Sequence, residues 1–385
     1  MHSFRKRRFL CLIFSIILGF VVVNNSISAE DVDLRLHALA AILMDGDNGR
    51  VLWEHNGTEQ RAMASTTKIM TTMIVLEYGN LEDEVEVSKR ASQAPDVQLH
   101  IREGEKYRLG DLLYALMLES SNDVAIAIAE HVGGSVEEFA QMMTEKAKDV
   151  GAHNTSFKTP NGLDAEGHYS TAYDLAIIAK YALENEQFRE IIRTRNKQFY
   201  ELTNNRHFHV YNKNAFLDQM NGAIGVKTGF TNQAGYCFVG AVERDGKLFI
   251  SVVLGSGWPY NRQYKWQDTQ KIMNYALDNY EYQKVVEGKI NLDPVEVIDG
   301  KVKDVPIELY GGEVGLLLND NEVVRKDISI PEYLDAPIQD NVTVGYLSVY
   351  IDDELYTMLP IKTTESVEKI DFKFCLDIII KKFLF

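Results

Sequence analysis

Cysteine is scarce in this chain of 385 residues, which contains three. Cys11 lies in an N-terminal apolar run, Cys237 follows a glycine-containing turn, and Cys375 lies in an apolar C-terminal segment, so no pair is evident. A disulfide scaffold is therefore excluded, and stability must come from a packed core. A hydrophobic content of 45% is sufficient for such a core, and the length predicts two domains, or one large domain and one smaller one.

Positive charge is also scarce. Lys and Arg total 40 against 56 Asp and Glu, which gives a formal net charge of -16. No block of basic residues occurs outside the first ten positions, so we expect no nucleic-acid partner. Clusters of Cys and His with the spacing of a metal site are lacking as well. His207 and His209 stand two apart on a predicted strand and can share a face, but no third ligand is nearby, which favours an exposed strand face over a zinc site.

Residues 1–29 have the layout of a secretory signal peptide. Four basic residues at positions 5–8 precede an apolar run from Phe9 to Val23, and small residues ending at Ala29 form a cleavage site. The alternative is an uncleaved membrane anchor, but the run is shorter than the ~20 residues that a spanning helix prefers. Both interpretations predict export, so that the protein acts at the outer face of the cytoplasmic membrane or in the cell-wall space.

Residues 30–280 mix helical periodicity with glycine-punctuated strands, which is typical of a mixed α/β (α+β) domain. The patterns predict a hairpin over 38–53, a helix over 66–78 that is apolar on most sides and therefore buried, and strands over 226–230, 236–242 and 248–254. Further helices are predicted over 109–118, 123–132, 137–150, 171–183 and 268–280.

The composition changes after residue 280. Residues 281–367 combine five prolines with short alternating strands and acidic turns, which indicates a small all-β domain. In the tail, 368–385, Lys373, Asp377 and Lys381 recur every four residues within an otherwise apolar segment. We expect this amphipathic tail to lie in a membrane interface. A terminal helix or strand packed on the β domain is the alternative.

Three short motifs carry candidate chemistry. The first is Ser65-Thr66-Thr67-Lys68 at the start of the predicted buried helix, where a spacing of three places the Ser65 hydroxyl and the Lys68 ammonium on one helical face. A hydroxyl is a poor nucleophile until a base removes its proton, and burial lowers a lysine pKa enough to make that base. Alone, the pattern equally describes a helix cap with a solvated lysine.

The second motif, Ser120-Ser121-Asn122, lies in a short connection between two predicted helices. A second hydroxyl beside the first pair can relay a proton to a leaving amine, and the Asn amide can hold a substrate carbonyl. The third, Lys227-Thr228-Gly229, lies on a predicted strand. An edge strand can pair with an extended substrate, its glycine permits close approach, and the two side chains can bind a terminal carboxylate.

The order and spacing of the three motifs resemble those of the serine-active penicillin-recognising enzymes. The chain looks like a low-molecular-mass penicillin-binding protein, specifically a serine-type D-alanyl-D-alanine carboxypeptidase. The resemblance covers about residues 35–260, and the β domain and tail match the C-terminal half of that family. Ser121 departs from the pattern, because the family more often has glycine there. Further segments that resemble the family are 64–71, 155–157, 160–163, 168–172, 225–231 and 234–236.

The resemblance implies a fold of the serine transpeptidase/β-lactamase type, with an antiparallel sheet and helices. It also implies an acyl-enzyme that removes the terminal D-alanine from peptidoglycan stem peptides, acylation of the same serine by β-lactam antibiotics, and no metal or organic cofactor. Catalytic roles fall on Ser65, Lys68 and Ser120, and substrate-binding roles fall on Asn122, Lys227, Thr228 and Gly229.

Two alternatives remain open from the sequence. A serine β-lactamase shares the three motifs and adds a Glu that activates water. Glu166 follows Leu163 in a loop, but its neighbours lack the Glu-x-x-Leu-Asn pattern of such a base, so we expect Glu166 at the surface. A non-catalytic cell-wall-binding protein is the second alternative. It predicts the loss of a catalytic side chain, and none is lost.

Overall fold

The computed structural model describes residues 32–288 and 290–384, and the predicted signal peptide lies outside them. Residues 32–280 form the N-terminal region. Its strands are β1 (Ala40–Asp45), β2 (Val51–His55), β3 (Glu84–Glu86), β4 (Lys106–Arg108), β5 (Asn196–Tyr200), β6 (His207–Tyr211), β7 (Ala223–Thr231), β8 (Gly235–Arg244) and β9 (Lys247–Leu254). Its helices are α1 (Lys68–Tyr78), α2 (Lys89–Ser92), α3 (Leu109–Tyr114), α4 (Asn122–Gly133), α5 (Val136–Asp149), α6 (Ala172–Leu183), α7 (Glu186–Arg193), α8 (Phe216–Gln219) and α9 (Tyr264–Asn279).

An antiparallel sheet with the strand order β2-β1-β9-β8-β7 divides the N-terminal region into two packed layers. Successive side chains of a strand point to opposite faces. Accordingly, Ile250 and Val252 of β9 pack among the helices around α1, whereas Phe249 and Val253 pack against α9 on the other face. Strand β7 lies at one edge, and among the described strands only β8 pairs with it.

Helix α1 runs through the centre of the larger layer, as its apolar circumference predicts. Every residue from Lys68 to Val75 is buried. The predicted helix begins at Thr66, but α1 begins at Lys68, and the residues before it, Ala64–Thr67, form a separate 3-10 turn. Helix α3 ends in a π turn, Ala115–Glu119, and α4 begins after two intervening residues. The sequence did not predict α7, the β3–β4 pair or β5, the strand that pairs with β6.

The C-terminal β region, residues 281–370, is built from strands, as the sequence predicts. They are β10 (Glu281–Val286), β11 (Val295–Ile298), β12 (Asp304–Val305), β13 (Ile307–Leu309), β14 (Val314–Leu318), β15 (Val324–Ser329), β16 (Tyr333–Asp335), β17 (Thr343–Ile351) and β18 (Glu354–Thr363). Most are short, but β17 and β18 have nine and ten residues. The strands form a four-stranded sheet, a three-stranded sheet and the β10–β14 pair, around two small apolar cores.

Buried polar contacts join the two regions beside β2. The Arg50 guanidinium, which is 7% exposed, donates to the Leu317 carbonyl and to the Glu322 carboxylate. The Asn319 amide nitrogen of the C-terminal region donates to the Tyr280 hydroxyl at 3.5 Å, and that hydroxyl in turn donates to the Leu52 carbonyl of β2 at 2.7 Å. The C-terminal β region is therefore fixed to the sheet edge opposite β7.

Helix α10, Phe372–Leu384, ends the described chain. Phe372 and Phe383 are 83% and 85% exposed, and four more large apolar side chains of the helix are also exposed. The helix is thus not packed along its length on the β region, which was the alternative interpretation. Within the described residues, no helix has the length and apolar character needed to cross a membrane.

Candidate active site

The 3-10 turn before α1 presents Ser65 at the surface of the larger layer. Ala64 has a φ of +49°, a left-handed conformation that is costly for alanine. Gly162, with a φ of +86°, packs directly on this turn: a β-carbon there would lie 2.0 Å from the Ala64 carbonyl oxygen and 2.9 Å from the Ser65 nitrogen. Only glycine fits at position 162 without displacing the turn.

Lys68 is fully buried, and its Nζ lies 3.0 Å from Ser65 Oγ. It also lies 2.6 Å from the Asn161 carbonyl oxygen and 2.9 Å from Asn122 Oδ1. The Asn122 amide nitrogen donates to the Pro95 carbonyl at 3.0 Å, which fixes the amide with its oxygen toward Lys68. A neutral amine has two N–H groups and one lone pair. Two neighbours can only accept, so the lone pair is left for the Ser65 hydroxyl.

The environment favours that neutral amine. Burial lowers the pKa of Lys68 well below its ordinary value, and the nearby charge of Lys227 lowers it further, while Asp123 acts in the opposite direction. The Asp123 carboxylate is fully buried and accepts the backbone N–H groups of Leu99 and Ile101 at 3.0 and 3.2 Å. Asp123 therefore ties the loop before β4 to the start of α4.

Ser120 and Lys227 form the opposite side of the cleft. Lys227 Nζ lies 3.0 Å from Ser120 Oγ and 3.2 Å from the Thr228 carbonyl oxygen. Ser120 follows the π turn with a φ of +66°, which turns the chain sharply into α4. Burial, followed by the charge of Lys265, lowers the pKa of Lys227 to about 7.

Strand β7 closes the cleft beside the nucleophile. A β-carbon at Gly229 would lie 3.0 Å from the Ser65 nitrogen and 3.0 Å from the Met63 carbonyl oxygen, so this strand and the serine turn are in close contact. Thr228, half-buried, precedes Gly229 on the strand. The structure thus gathers the predicted site residues around one cleft, although the three motifs are far apart in sequence.

Sequence reasoning missed several residues that shape this cleft. Lys265 of α9 is one: its ammonium lies 5.2 Å from the centre of the Tyr236 ring, and burial lowers its pKa to about 8. His168 is another. Its Nδ1 accepts the Lys158 N–H at 3.0 Å, so Nε2 carries the proton and donates to Thr67 Oγ1 at 3.1 Å. Burial lowers the pKa of His168 to about 4, so it supports the serine turn as a neutral ring.

The two histidines considered as zinc ligands lie outside this site. His207 and His209 lie on the exposed face of β6, where His209 Nε2 lies 3.0 Å from Asn196 Oδ1. In the part of the chain that the structure covers, no group of three or more His, Cys, Asp or Glu side chains is arranged to hold a metal ion.

Comparison with known proteins identifies the family of this site. A family model described as D-alanyl-D-alanine carboxypeptidase matches residues 25–257, and one for the C-terminal domain of penicillin-binding protein 5 matches residues 280–369. The chain belongs to the D-alanyl-D-alanine carboxypeptidase family. This serine DD-carboxypeptidase is a hydrolase of cell-wall metabolism, of the low-molecular-mass penicillin-binding type, and the β-lactamase alternative is not favoured.

Individual relatives agree with this assignment. The D-alanyl-D-alanine carboxypeptidase DacF of Bacillus subtilis is 32% identical over 350 residues, which cover 88% of each chain. The enzyme of Streptomyces sp. strain K15 is 34% identical and covers 62% of this chain and 87% of its own. The structure of penicillin-binding protein 5 from Haemophilus influenzae has the same fold, with a TM-score of 0.73 at 24% identity over 87% of this chain and 98% of that one.

Proposed function

We propose that this carboxypeptidase forms an ester between Ser65 and the penultimate D-alanine of a peptidoglycan stem peptide. The observation that carries the proposal is the 3.0 Å contact between Ser65 Oγ and the buried Lys68 amine, whose pKa is lowered. The amine accepts the Ser65 proton while Oγ attacks the carbonyl between the last two D-alanines. Backbone N–H groups of Ser65 and of a residue on β7 hold the oxyanion, where one such donor contributes ~10²- to 10³-fold in rate.

The second step expels D-alanine. As the tetrahedral intermediate collapses, the C–N bond breaks. Ser120 gives its proton to the departing nitrogen and regains one from the Lys68 ammonium, so the proton taken from Ser65 leaves with D-alanine and Lys68 is neutral again. A water molecule, deprotonated by Lys68, then attacks the ester, and Ser65 recovers its proton. The Asn122 amide supports this step by holding both Lys68 and the substrate carbonyl, which the 2.9 Å contact between Asn122 Oδ1 and Lys68 Nζ favours.

Substrate selection depends on a free chain end. We assign the C-terminal carboxylate to Lys227 and Thr228, with Gly229 permitting close approach of the substrate to β7. A bound carboxylate raises the pKa of Lys227 from its value of about 7 and keeps the ammonium charged. An ammonium at the end of the cleft favours a carboxypeptidase over an endopeptidase, because an internal peptide has no carboxylate there. β-Lactams carry an equivalent carboxylate and acylate the same serine.

The purified protein, residues 30–369, is expected to release D-alanine from a muramyl pentapeptide and to gain one covalent penicillin adduct. Intact-protein mass spectrometry and peptide mapping should place the adduct on Ser65. With nitrocefin we expect one stoichiometric burst. Sustained fast hydrolysis of nitrocefin would instead support a β-lactamase. Binding of penicillin without any release of D-alanine would indicate a non-catalytic cell-wall protein.

We also propose export and membrane attachment, with domain boundaries at 30–280, 281–367 and 368–385. The charge and apolar pattern of residues 1–29 supports removal of a signal peptide before Glu30. Strand β10 starts at Glu281, which supports the boundary between residues 280 and 281. The exposed apolar side chains of α10, together with its lysines, support an interfacial helix that lies on the outer face of the membrane.

Cell fractionation tests both parts of this proposal. We expect the mature protein to begin at Glu30 by N-terminal sequencing and to sediment with membranes. A chain that ends at Lys369 should be released as soluble, active enzyme, because most of the large apolar side chains of α10 are exposed rather than packed on the β region. A cytoplasmic protein that retains Met1 would contradict export, and sedimentation of the shortened chain would contradict attachment through the tail.

A further inference from the structure

An open cavity of about 540 Å³ adjoins the catalytic cleft. Three segments line it: residues 60–62, which lead into the serine turn, residues 164–169, which follow Gly162, and Gln233 in the turn after β7. Each segment is thus continuous with an element that forms the cleft. The cavity lies at the Thr231 end of β7, where the Thr231 hydroxyl donates to Asp164 Oδ1 at 2.9 Å.

The direction of the substrate follows from the proposed function. Its terminal carboxylate is at Lys227 and Thr228, and its scissile carbonyl is at Ser65, beside Gly229. Read from its N- to its C-terminus, the peptide therefore runs antiparallel to β7, at ~3.3 Å per residue. The last D-alanine lies near Thr228 and the penultimate one near Gly229. The residue before them lies near Phe230, one strand position from Thr231, and its side chain extends toward the cavity.

The charge of the cavity favours a cation. Asp164 and Glu166 are exposed on its wall, and among the described residues neither carboxylate has an ion-pair partner. Arg61 is a positively charged residue that lines the cavity, but its guanidinium is paired with Glu59 at 2.7 Å. Glu166 is at the surface, as the sequence predicts. Two unpaired carboxylates beside an extended peptide attract an ammonium group.

We propose that this cavity, the third-residue pocket, binds the free side-chain ammonium of the residue that precedes D-Ala-D-Ala. In peptidoglycan stems that residue is a diamino acid, whose second amine is free before cross-linking and becomes an amide afterwards. Asp164 and Glu166 bind the charged form and lose the attraction when the amine is acylated. The enzyme therefore selects stems that are not cross-linked through this amine. This inference rests on the proposed function, because the proposed substrate direction brings the diamino acid to the pocket.

The test compares two peptides that differ by one acetyl group. Nα-acetyl-L-Lys-D-Ala-D-Ala has a free side-chain ammonium, and Nα,Nε-diacetyl-L-Lys-D-Ala-D-Ala does not. We expect kcat/KM for D-alanine release to be about tenfold higher for the free amine, the combined effect of two partly exposed ion pairs. In the double variant Asp164→Asn/Glu166→Gln the ratio should fall to near one. Asn at 164 can still accept the Thr231 hydroxyl, so the end of β7 is held.

Glu332→Gln is the matched control, because Glu332 is exposed in the C-terminal β region. It should retain the tenfold ratio. The ratio of the wild type should also shrink as salt is raised. A wild-type ratio near one, or a tenfold ratio that persists in the double variant, would overturn the pocket. Acylation of Ser65 by penicillin distinguishes failure of the pocket from failure of the proposed function. If Ser65 is acylated and the two peptides are hydrolysed equally fast, only the pocket fails. If neither reaction occurs, the proposed function fails and the pocket with it.

Discussion

The Ser65→Ala variant should release no measurable D-alanine and carry no penicillin adduct, with turnover reduced by ~10⁵- to 10⁶-fold. The reason is chemical: without Oγ no ester can form, and the remaining cleft can only bind substrate. The fold should be unaffected, because Ser65 is half-buried and, among the residues that the structure describes, the hydrogen-bond partners of its hydroxyl are Lys68 Nζ and the Asn161 carbonyl. Intact-protein mass spectrometry after penicillin treatment, together with a D-alanine assay, measures both effects.

Ser92→Ala is the matched control for this variant. Ser92 Oγ donates to the Lys89 carbonyl on the exposed side of α2, away from the cleft. Ser92→Ala should be acylated like the wild type. If Ser65→Ala still formed a covalent adduct, the nucleophile would have to be another side chain, and the assignment of Lys68 as its base would be lost as well.

Replacement of Lys68 is expected to slow acylation by about 10³- to 10⁴-fold, because the Ser65 hydroxyl then keeps its proton. Lys68→Met is the informative variant, since it nearly preserves the buried volume and removes only the amine. Lys68→Ala adds a cavity beside Asn122 and the Asn161 carbonyl. The rate of penicillin acylation under single-turnover conditions measures the loss, and circular dichroism checks the fold of each variant.

The role of Lys68 as a base also predicts how the acylation rate changes with pH. Lys68 must be neutral to accept a proton, so acylation by the wild type should rise as the pH increases through the lowered pKa of Lys68. At high pH, loss of the Lys227 charge, with a pKa of about 7 before substrate binds, should weaken carboxylate binding and limit the rise. The acid limb should disappear in Lys68→Met. A limb that persists there would mean that another group provides the base.

The sequence predicted the local part of the site from physical spacing alone. Residues three positions apart lie on the same side of a helix. The contact between Ser65 and Lys68 therefore depends on helix geometry and not on where the turn lies in the fold. The contact between Ser120 and Lys227 spans 107 residues. No local rule predicts it, and only the resemblance to a known family joined those motifs. The functional roles of all these residues stay predictions until variants are measured.

The features that sequence reasoning missed depend on tertiary packing. Lys265 lies on α9, behind the sheet, yet its charge lowers the pKa of Lys227, and no pattern in its neighbours indicates this. The short helix α7 was missed, although Asn185 caps it through bonds to the N–H groups of Gln187 and Phe188. The 3-10 turn at Ala64–Thr67 also escaped, because the contact with Gly162 that shapes it comes from a distant loop.

The anchorage of the C-terminal β region beside β2 has a mechanical consequence. A force applied at the C-terminus would be transmitted from Leu317 and Glu322 to Arg50, and so to the sheet at β2. Three strands, β1, β9 and β8, then stand between that point of loading and β7. Tension from a tail that is tethered as proposed above would therefore load hydrogen-bond ladders on the side of the sheet away from the strand beside Ser65.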